Sequence, residues 1–186
     1  MNRVMFTTRH FLIRQCTMAD AQDIVAFWND HEVMQYIGDG TWGGDIYVVK
    51  NFLHKTIASY AKDPGYGDWA VVDNHNNHVI GMASLEIVPN SHEIEAGYML
   101  RRDYWGRGFG TEILSGLIDY GFYQLRCDKI MGICLTHNQA SMKVMEKCGM
   151  HRDGQHVYYG LPHYKYVIEY FHDEKVKKAW LKIQND

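Results

Sequence analysis

The sequence lacks the features that mark secreted, membrane-spanning or nucleic-acid-binding proteins. Its 186 residues include four cysteines, and no two of them have CxxC spacing, so neither a disulfide framework nor a metal site is indicated. No run of about 18 apolar residues is present, and residues 1–14 lack the apolar stretch of a signal peptide. The formal net charge of -3 argues against a nucleic-acid-binding surface. We therefore expect a cytoplasmic protein with reduced thiols and with no metal, membrane or nucleic-acid partner.

The composition is that of a globular domain, with 46% apolar and 22% charged residues. The length favours one domain over residues 1–186, with a core at about 10–172 and a docked C-terminal helix at about 173–184. Alternation and turn signals predict strands at 11–14, 68–72, 79–88, 93–100, 129–135, 151–159 and 164–171. Helical spacing predicts helices at 20–28, 45–60, 108–124 and 139–147. This order predicts an α/β (α+β) fold, in which a mixed, mostly antiparallel sheet carries helices on both faces.

A glycine-rich turn lies between the third central strand and the helix that follows it. Glycines at 106, 108 and 110 allow the backbone to adopt positive φ and to approach a ligand closely. The first-turn N–H groups and the helix dipole attract an anion there, and Arg107 adds a full positive charge. A P-loop would require Gly-Lys-Ser/Thr, whereas Gly110 is followed by Thr111 and Glu112. Since the preceding strand belongs to a hairpin series, a dinucleotide fold is also disfavoured. The turn predicts a phosphate or pyrophosphate site.

The same turn resembles the Q/R-x-x-G-x-G/A motif of the GNAT superfamily of N-acetyltransferases, with Trp105 where Gln or Arg is usual. Other segments are similar to the RimJ/RimL-type branch of that superfamily. They are residues 13–14 with 19–21, 95–100 with 104–106, and 138–141 with 146–150. Together these motifs cover about residues 10–172.

The resemblance implies that acetyl-CoA is the acyl donor and assigns its contacts. The coenzyme's pyrophosphate is expected on the backbone amides of Gly106, Arg107, Gly108, Phe109, Gly110 and Thr111. Main-chain groups of Met99 and Leu100 are expected to pair with the pantetheine arm, with Asn138 and Ser141 on its other side. The thioester is expected in a splay between the strands that end near Leu100 and Leu135.

Two side chains are candidates for the chemistry of acyl transfer to an amine. Glu95 lies on the strand that leads to the coenzyme, and it is our candidate for the base. The alternative is a strand carboxylate without a catalytic role. Ser141 lies three residues after Asn138 on the same side of a helix, where it can protonate or bond to the leaving thiolate. Since many members of the superfamily use a Tyr where Met145 stands, Ser141 could instead be a pantetheine contact only.

Three readings of the function follow from this resemblance. The first is an N-acetyltransferase that acts on a protein or peptide N-terminal amine by direct attack. The second is an acetyltransferase for a small amine such as a polyamine, amino sugar or aminoglycoside. The third is an acyl-CoA-binding domain without turnover. The acceptor cleft is expected between residues 30–44 and 158–163, where candidate lining residues are Asp39, Trp42, Asp45 and Tyr159. The protein is expected to be a monomer or a homodimer.

Overall fold

The computed structural model describes residues 3–40, 43–89 and 91–171. The helix predicted at 173–184 and the cleft candidate Trp42 lie outside these ranges. Within them, eight strands form one sheet in the order β1-β2-β3-β4-β5-β6-β8-β7. The strands are β1 (Val4–Thr7), β2 (Phe11–Gln15), β3 (Gly67–Asp73), β4 (Val79–Ile87), β5 (Ile94–Leu100), β6 (Lys129–Leu135), β7 (His151–Tyr158) and β8 (Leu161–Glu169).

Helices cover both faces of this sheet. They are α1 (Ala21–Trp28), α2 (His31–Met34), α3 (Ile46–Ser59), α4 (Phe109–Asp119) and α5 (Gln139–Lys147), with short 3-10 turns at Met18–Asp20 and Arg102–Tyr104. Side chains of α4 and α5 pack on one face and form a first core cluster with Trp69 and Tyr166. Side chains of α1, α2 and α3 form a second cluster on the opposite face. The predicted mixed sheet with helices on both faces is confirmed.

The sheet opens between β5 and β6. All neighbouring strands are antiparallel except these two, which are parallel and pair at Glu95 and Met131. By contrast, β4 and β5 pair along seven positions, from Ile87 opposite Ile94 to Gly81 opposite Leu100. Because pairing with β6 stops near the beginning of β5, the two strands diverge toward their carboxyl ends. The expected splay is therefore present, and α4 and α5 lie on one side of it.

Two element boundaries differ from those predicted by more than two residues. The helix predicted over 108–124 is α-helical only to Asp119, and Tyr120–Gln124 form a π-helical turn. Gly121 of that turn packs so closely on Ile130 that an added methyl would lie 2.6 Å from its side chain. The last strand begins at Leu161 rather than residue 164, because Tyr159 and Gly160 close a two-residue hairpin with φ of 53° and 75°.

Candidate active site

The glycine turn presents the bare N-terminus of α4. Gly108 is the N-cap residue and adopts φ +82°, and Gly106 adopts φ +72°. A methyl group added to either glycine would meet no atom within 4 Å, so the backbone conformation rather than crowding requires glycine there. Because a glycine cap carries no side chain, the first-turn N–H groups of α4 are available to an external acceptor. The turn therefore suits an anion, as predicted.

Gly110 is required for a different reason. A methyl group on its Cα would lie 3.0 Å from the ring of Tyr98 and 3.4 Å from the Tyr98 hydroxyl oxygen. The phenol therefore lies directly against the first turn of α4. Tyr98 comes from β5, so this contact fixes the distance between the strand beside the splay and the anion site.

Two side-chain hydrogen bonds hold the turn in place. The indole N–H of Trp105 donates to the carbonyl oxygen of Leu100 at 2.8 Å. The hydroxyl of Tyr104 donates to the Asp73 carboxylate at 2.7 Å, which ties the turn to the end of β3. Trp105 thus has a structural role that its position in the motif did not reveal.

Arg107 supplies the positive charge beside this N-terminus. Its guanidinium lies 4.6 Å from the centre of the Phe109 ring and 5.8 Å from that of Tyr104. The acidic residue of the same helical turn, Glu112, is held away, because its carboxylate accepts from the His10 backbone N–H at 2.8 Å and lies 2.7 Å from His10 Nδ1. Arg107 and the helix N-terminus therefore favour an anion, while the Asp73 carboxylate also interacts with Arg107.

The main chain of Leu100 faces the splay. The next N–H, that of Arg101, donates to Ile80 of β4, and the carbonyl oxygen of Met99 lies against Gly81 of β4. Since successive residues of a strand point their N–H and C=O groups to alternate sides, Leu100 directs its groups toward the open side. The main-chain pairing predicted for Met99 and Leu100 is therefore available to the Leu100 N–H, whereas the Leu100 carbonyl oxygen already accepts from the Trp105 indole. The Met99 side chain packs against the second core cluster.

Asn138 and Ser141 lie together at the N-terminus of α5. Asn138 is the N-cap residue, and its side-chain oxygen accepts from the Ser141 backbone N–H at 3.1 Å. This bond directs the oxygen of the Asn138 amide toward the helix and leaves its NH₂ group for other acceptors. Burial raises the pKa of Tyr98 to about 12, and the Ser141 side chain opposes this rise. The two predicted residues therefore stand next to the splay, as expected, with a tyrosine that the sequence analysis did not single out.

Glu95 lies where the splay begins, on the face opposite to Tyr98. It is partly buried and pairs with Glu86 across β4 and with Met131 across β6. Burial raises the pKa of Glu95 to about 7, and the charges of Glu86 and Glu93 add to the effect. A carboxylate with a pKa near the working pH is suited to accept a proton from an amine.

Known proteins match both the sequence and the fold. A family model described as an acetyltransferase (GNAT) domain matches residues 10–151. The chain belongs to the GNAT acetyltransferases. The uncharacterized N-acetyltransferase YnaD of Bacillus subtilis is 27% identical over 148 residues, which cover 80% of this chain and 83% of that protein.

Solved structures of acetyltransferases share the fold. A GNAT-family acetyltransferase from Bacillus anthracis has a TM-score of 0.77 at 23% identity, covering 91% of this chain and 98% of that one. RimL, a ribosomal L7/L12 alpha-N-protein acetyltransferase in complex with coenzyme A, has a TM-score of 0.77 at 15% identity. The match covers 92% of this chain and 100% of that one. GNAT acetyltransferases use acetyl-CoA, and the bare helix N-terminus beside an open splay fits that donor.

The acceptor side of this acetyltransferase is rich in charge. Glu93 forms an ion pair with Lys165 at 2.5 Å, and Lys165 also lies 3.7 Å from Asp153. The pKa of Tyr159 is raised, mainly by desolvation and further by the charges of Glu95 and Glu86. Tyr159 is 61% exposed and lies within electrostatic range of the candidate base.

The other predicted cleft residues contribute less. Asp45 is the N-cap of α3, where its carboxylate accepts from the N–H groups of Tyr47 and Val48 at 2.8 and 3.2 Å. The Asp45 carboxylate therefore has a structural role as a helix cap. Asp39 lies in the loop before α3. Across the described part of the chain, no helix is both long and apolar enough to span a bilayer.

Proposed function

We propose that this acetyltransferase moves the acetyl group of acetyl-CoA to a primary amine by direct attack, with Glu95 as the base. The observation that carries the proposal is the position of Glu95. It stands at the point where β5 and β6 separate, is partly buried, and faces a second carboxylate, Glu86. Such a site attracts an ammonium ion and can then remove its proton.

The donor is held by groups on the other side of the splay. Backbone N–H groups from Gly106 to Thr111 and the guanidinium of Arg107 bind the pyrophosphate. The N–H of Leu100 and the amide of Asn138 bind the pantetheine arm. Ser141 contacts the thioester end of the arm. In this arrangement the protein contributes mostly positioning, which can supply many kcal/mol of the rate enhancement.

The proton balance assigns Glu95 its role. An amine is protonated at neutral pH and cannot attack until one proton is lost. With a pKa of about 7, Glu95 is ionised in a large fraction of molecules at neutral pH and still retains basicity. The ionised carboxylates of Glu86 and Glu95 bind the ammonium form first, so the acceptor arrives beside the base that deprotonates it.

We assign the acceptor to the N-terminal amine of a protein or peptide, in line with the resemblance to the RimJ/RimL-type branch. The likeness to RimL supports this assignment through the fold, and the motifs at 95–106 and 138–150 support it through the sequence. A second candidate is a small amine with two cationic groups. It is favoured by the second carboxylate, Glu86, which lies directly opposite the candidate base.

A substrate screen tests the proposed function. The purified chain is incubated with acetyl-CoA and either peptides with different first residues or small amines, and thiol release is followed together with the product mass. Acetylation at the α-amine of peptides supports the first candidate, and acetylation of polyamines or amino sugars alone supports the second. If no amine in either set caused the release of free coenzyme A, the proposal of an amine acceptor would be contradicted.

A further inference from the structure

A cavity of about 410 Å³ opens beside the glycine turn. Its walls come from the β1–β2 turn, the end of β3 with the turn that follows it, and the glycine turn with the start of α4. Arg107 and Phe109 belong both to this cavity and to the anion site. Since β2 and β3 lie on the side of β5 away from β6, the cavity extends away from the splay. A volume of this size is within the range of small-molecule sites.

Aromatic rings form one wall of the cavity. The centre of the Phe109 ring lies 5.0 Å from that of Phe11, 5.2 Å from that of His10 and 6.0 Å from that of Tyr104. The planar guanidinium of Arg107 lies over the Phe109 ring at 4.6 Å. Aromatic rings and guanidinium planes are the surfaces on which proteins stack nucleobases. This wall therefore suits a flat heteroaromatic ring.

The charges in the lining favour an anion. Arg9 and Arg107 both line the cavity, and in the described part of the chain Arg9 forms no ion pair. Asp73 is the carboxylate among the lining residues. Its two oxygens already accept hydrogen bonds, from the Tyr104 hydroxyl at 2.7 Å and from the His75 backbone N–H at 2.8 Å. Two guanidinium groups thus face one carboxylate, so the cavity has donors left for a phosphate.

Asn74 adds a neutral polar group to the same cavity. Its backbone N–H donates to the His10 carbonyl oxygen at 3.0 Å, which fixes the main chain of the turn after β3. Its side-chain amide forms no hydrogen bond with any residue that the structure describes. An asparagine amide offers one donor and one acceptor side by side, which match the paired groups on the edge of adenine.

We propose that this cavity binds the adenosine 3′-phosphate end of the coenzyme A donor, with Arg9 on the 3′-phosphate and Asn74 on the adenine edge. The inference rests on the proposed function, in which the glycine turn holds the pyrophosphate. Adenosine is joined directly to that pyrophosphate, so it lies beside the turn, and Arg107 at the border of the cavity is within reach of both phosphate groups. A donor that lacks adenosine leaves the cavity empty, so the site selects free coenzyme A thioesters over shorter pantetheine donors.

The binding of coenzyme A and of 3′-dephospho-coenzyme A, measured by calorimetry, tests the site without an amine. The wild type should bind coenzyme A about tenfold more tightly, as one charge-assisted contact predicts. In Arg9→Gln the affinity for coenzyme A should fall about tenfold, and that for the dephospho form should stay within about twofold. Arg126→Gln is the matched control, because Arg126 is exposed and follows the other end of α4. It should change neither affinity.

Asn74→Ala tests the adenine contact separately from the phosphate contact. It should weaken the binding of coenzyme A and of the dephospho form by the same factor, about fivefold, because both ligands carry adenine. The affinity for 4′-phosphopantetheine, which has no adenosine, should be unchanged. Equal losses for all three ligands would assign Asn74 to the fold of the turn and overturn the adenine contact.

Two results would overturn the phosphate contact. They are equal affinities of the wild type for coenzyme A and its dephospho form, and an equal loss for both ligands in Arg9→Gln. A chain that bound the two ligands as expected and acetylated no amine would refute the proposed acceptor while retaining this site. A chain that acetylated amines equally well from acetyl-CoA and from its dephospho form would retain the proposed function and overturn this site.

Discussion

Glu86 and Glu95 face each other across β4 and β5 with both carboxylates on the same face of the sheet. Like charges directly opposite each other destabilise a sheet. Glu93, the acidic residue immediately before β5, is compensated by Lys165. The Glu86–Glu95 pair therefore costs stability, and its place at the opening of the splay fits a role in binding and deprotonating a cation.

The Glu86–Glu95 pair gives a pH-dependent prediction. In Glu86→Gln the repulsion that contributes to the raised pKa of Glu95 is lost, so Glu95 ionises at lower pH. The acidic limb of kcat/KM for the amine should therefore move down by about half a unit, because Glu86 is exposed and solvent screens its charge. Rate profiles at two salt concentrations measure this, and a smaller difference between variant and wild type is expected at high salt. A limb that moves to higher pH would contradict the account.

Glu95 itself should reduce stability as the pH rises. Its pKa is raised from an ordinary 4.5 to about 7 in the folded chain, so between these values the folded state binds more protons than the unfolded state. The stability that Glu95 contributes by binding this proton is fully present below about pH 4.5 and is lost as the pH rises through about 7. Glu95→Gln should therefore stabilise the protein relative to wild type at pH 8 more than at pH 5, as measured by chemical denaturation.

Glu93→Gln, two residues before Glu95, provides the contrast. It removes an ion pair with the buried Lys165 rather than a repulsion, so it should destabilise the protein at neutral pH. If both glutamine variants changed stability in the same direction at pH 8, the assigned difference between the two carboxylates would be wrong.

Gly108 and Gly149 allow a matched test of the anion site, because both adopt φ +82°. Alanine at either position should cost about 1 kcal/mol of stability through backbone strain, and neither added methyl is crowded. Only Gly108→Ala changes the turn at the N-terminus of α4, so only it should raise KM for acetyl-CoA, by about tenfold. Equal KM values for the two variants would place the pyrophosphate elsewhere.

Arg107 should matter only for donors that carry a pyrophosphate. Arg107→Gln is expected to raise KM for acetyl-CoA by about tenfold, because a charge-assisted contact at a helix N-terminus is lost. With S-acetylpantetheine, which has no pyrophosphate, wild type and variant should have the same KM. A comparable loss with both donors would assign Arg107 to the fold rather than to the ligand.

The sequence predicted the glycine turn, Glu95, Asn138 and Ser141 because each belongs to a local pattern or motif. The contact of Tyr98 with Gly110 was missed because the two residues approach each other only in the folded chain. The indole bond of Trp105 to Leu100 and the Lys165–Glu93 ion pair were missed for the same reason. The π-helical turn after Asp119 was missed because hydrophobic periodicity continues through it and does not distinguish it from an α-helix.

The pH dependence of acetyl transfer in wild type and Glu95→Gln tests the central claim most directly. In wild type, kcat/KM for the acceptor should rise through an apparent pKa of about 7. Glu95→Gln should abolish this inflection and lower kcat by about 10² to 10³, while its affinity for coenzyme A is unchanged. A variant that retained the inflection near pH 7 and most of its turnover would show that Glu95 is not the base.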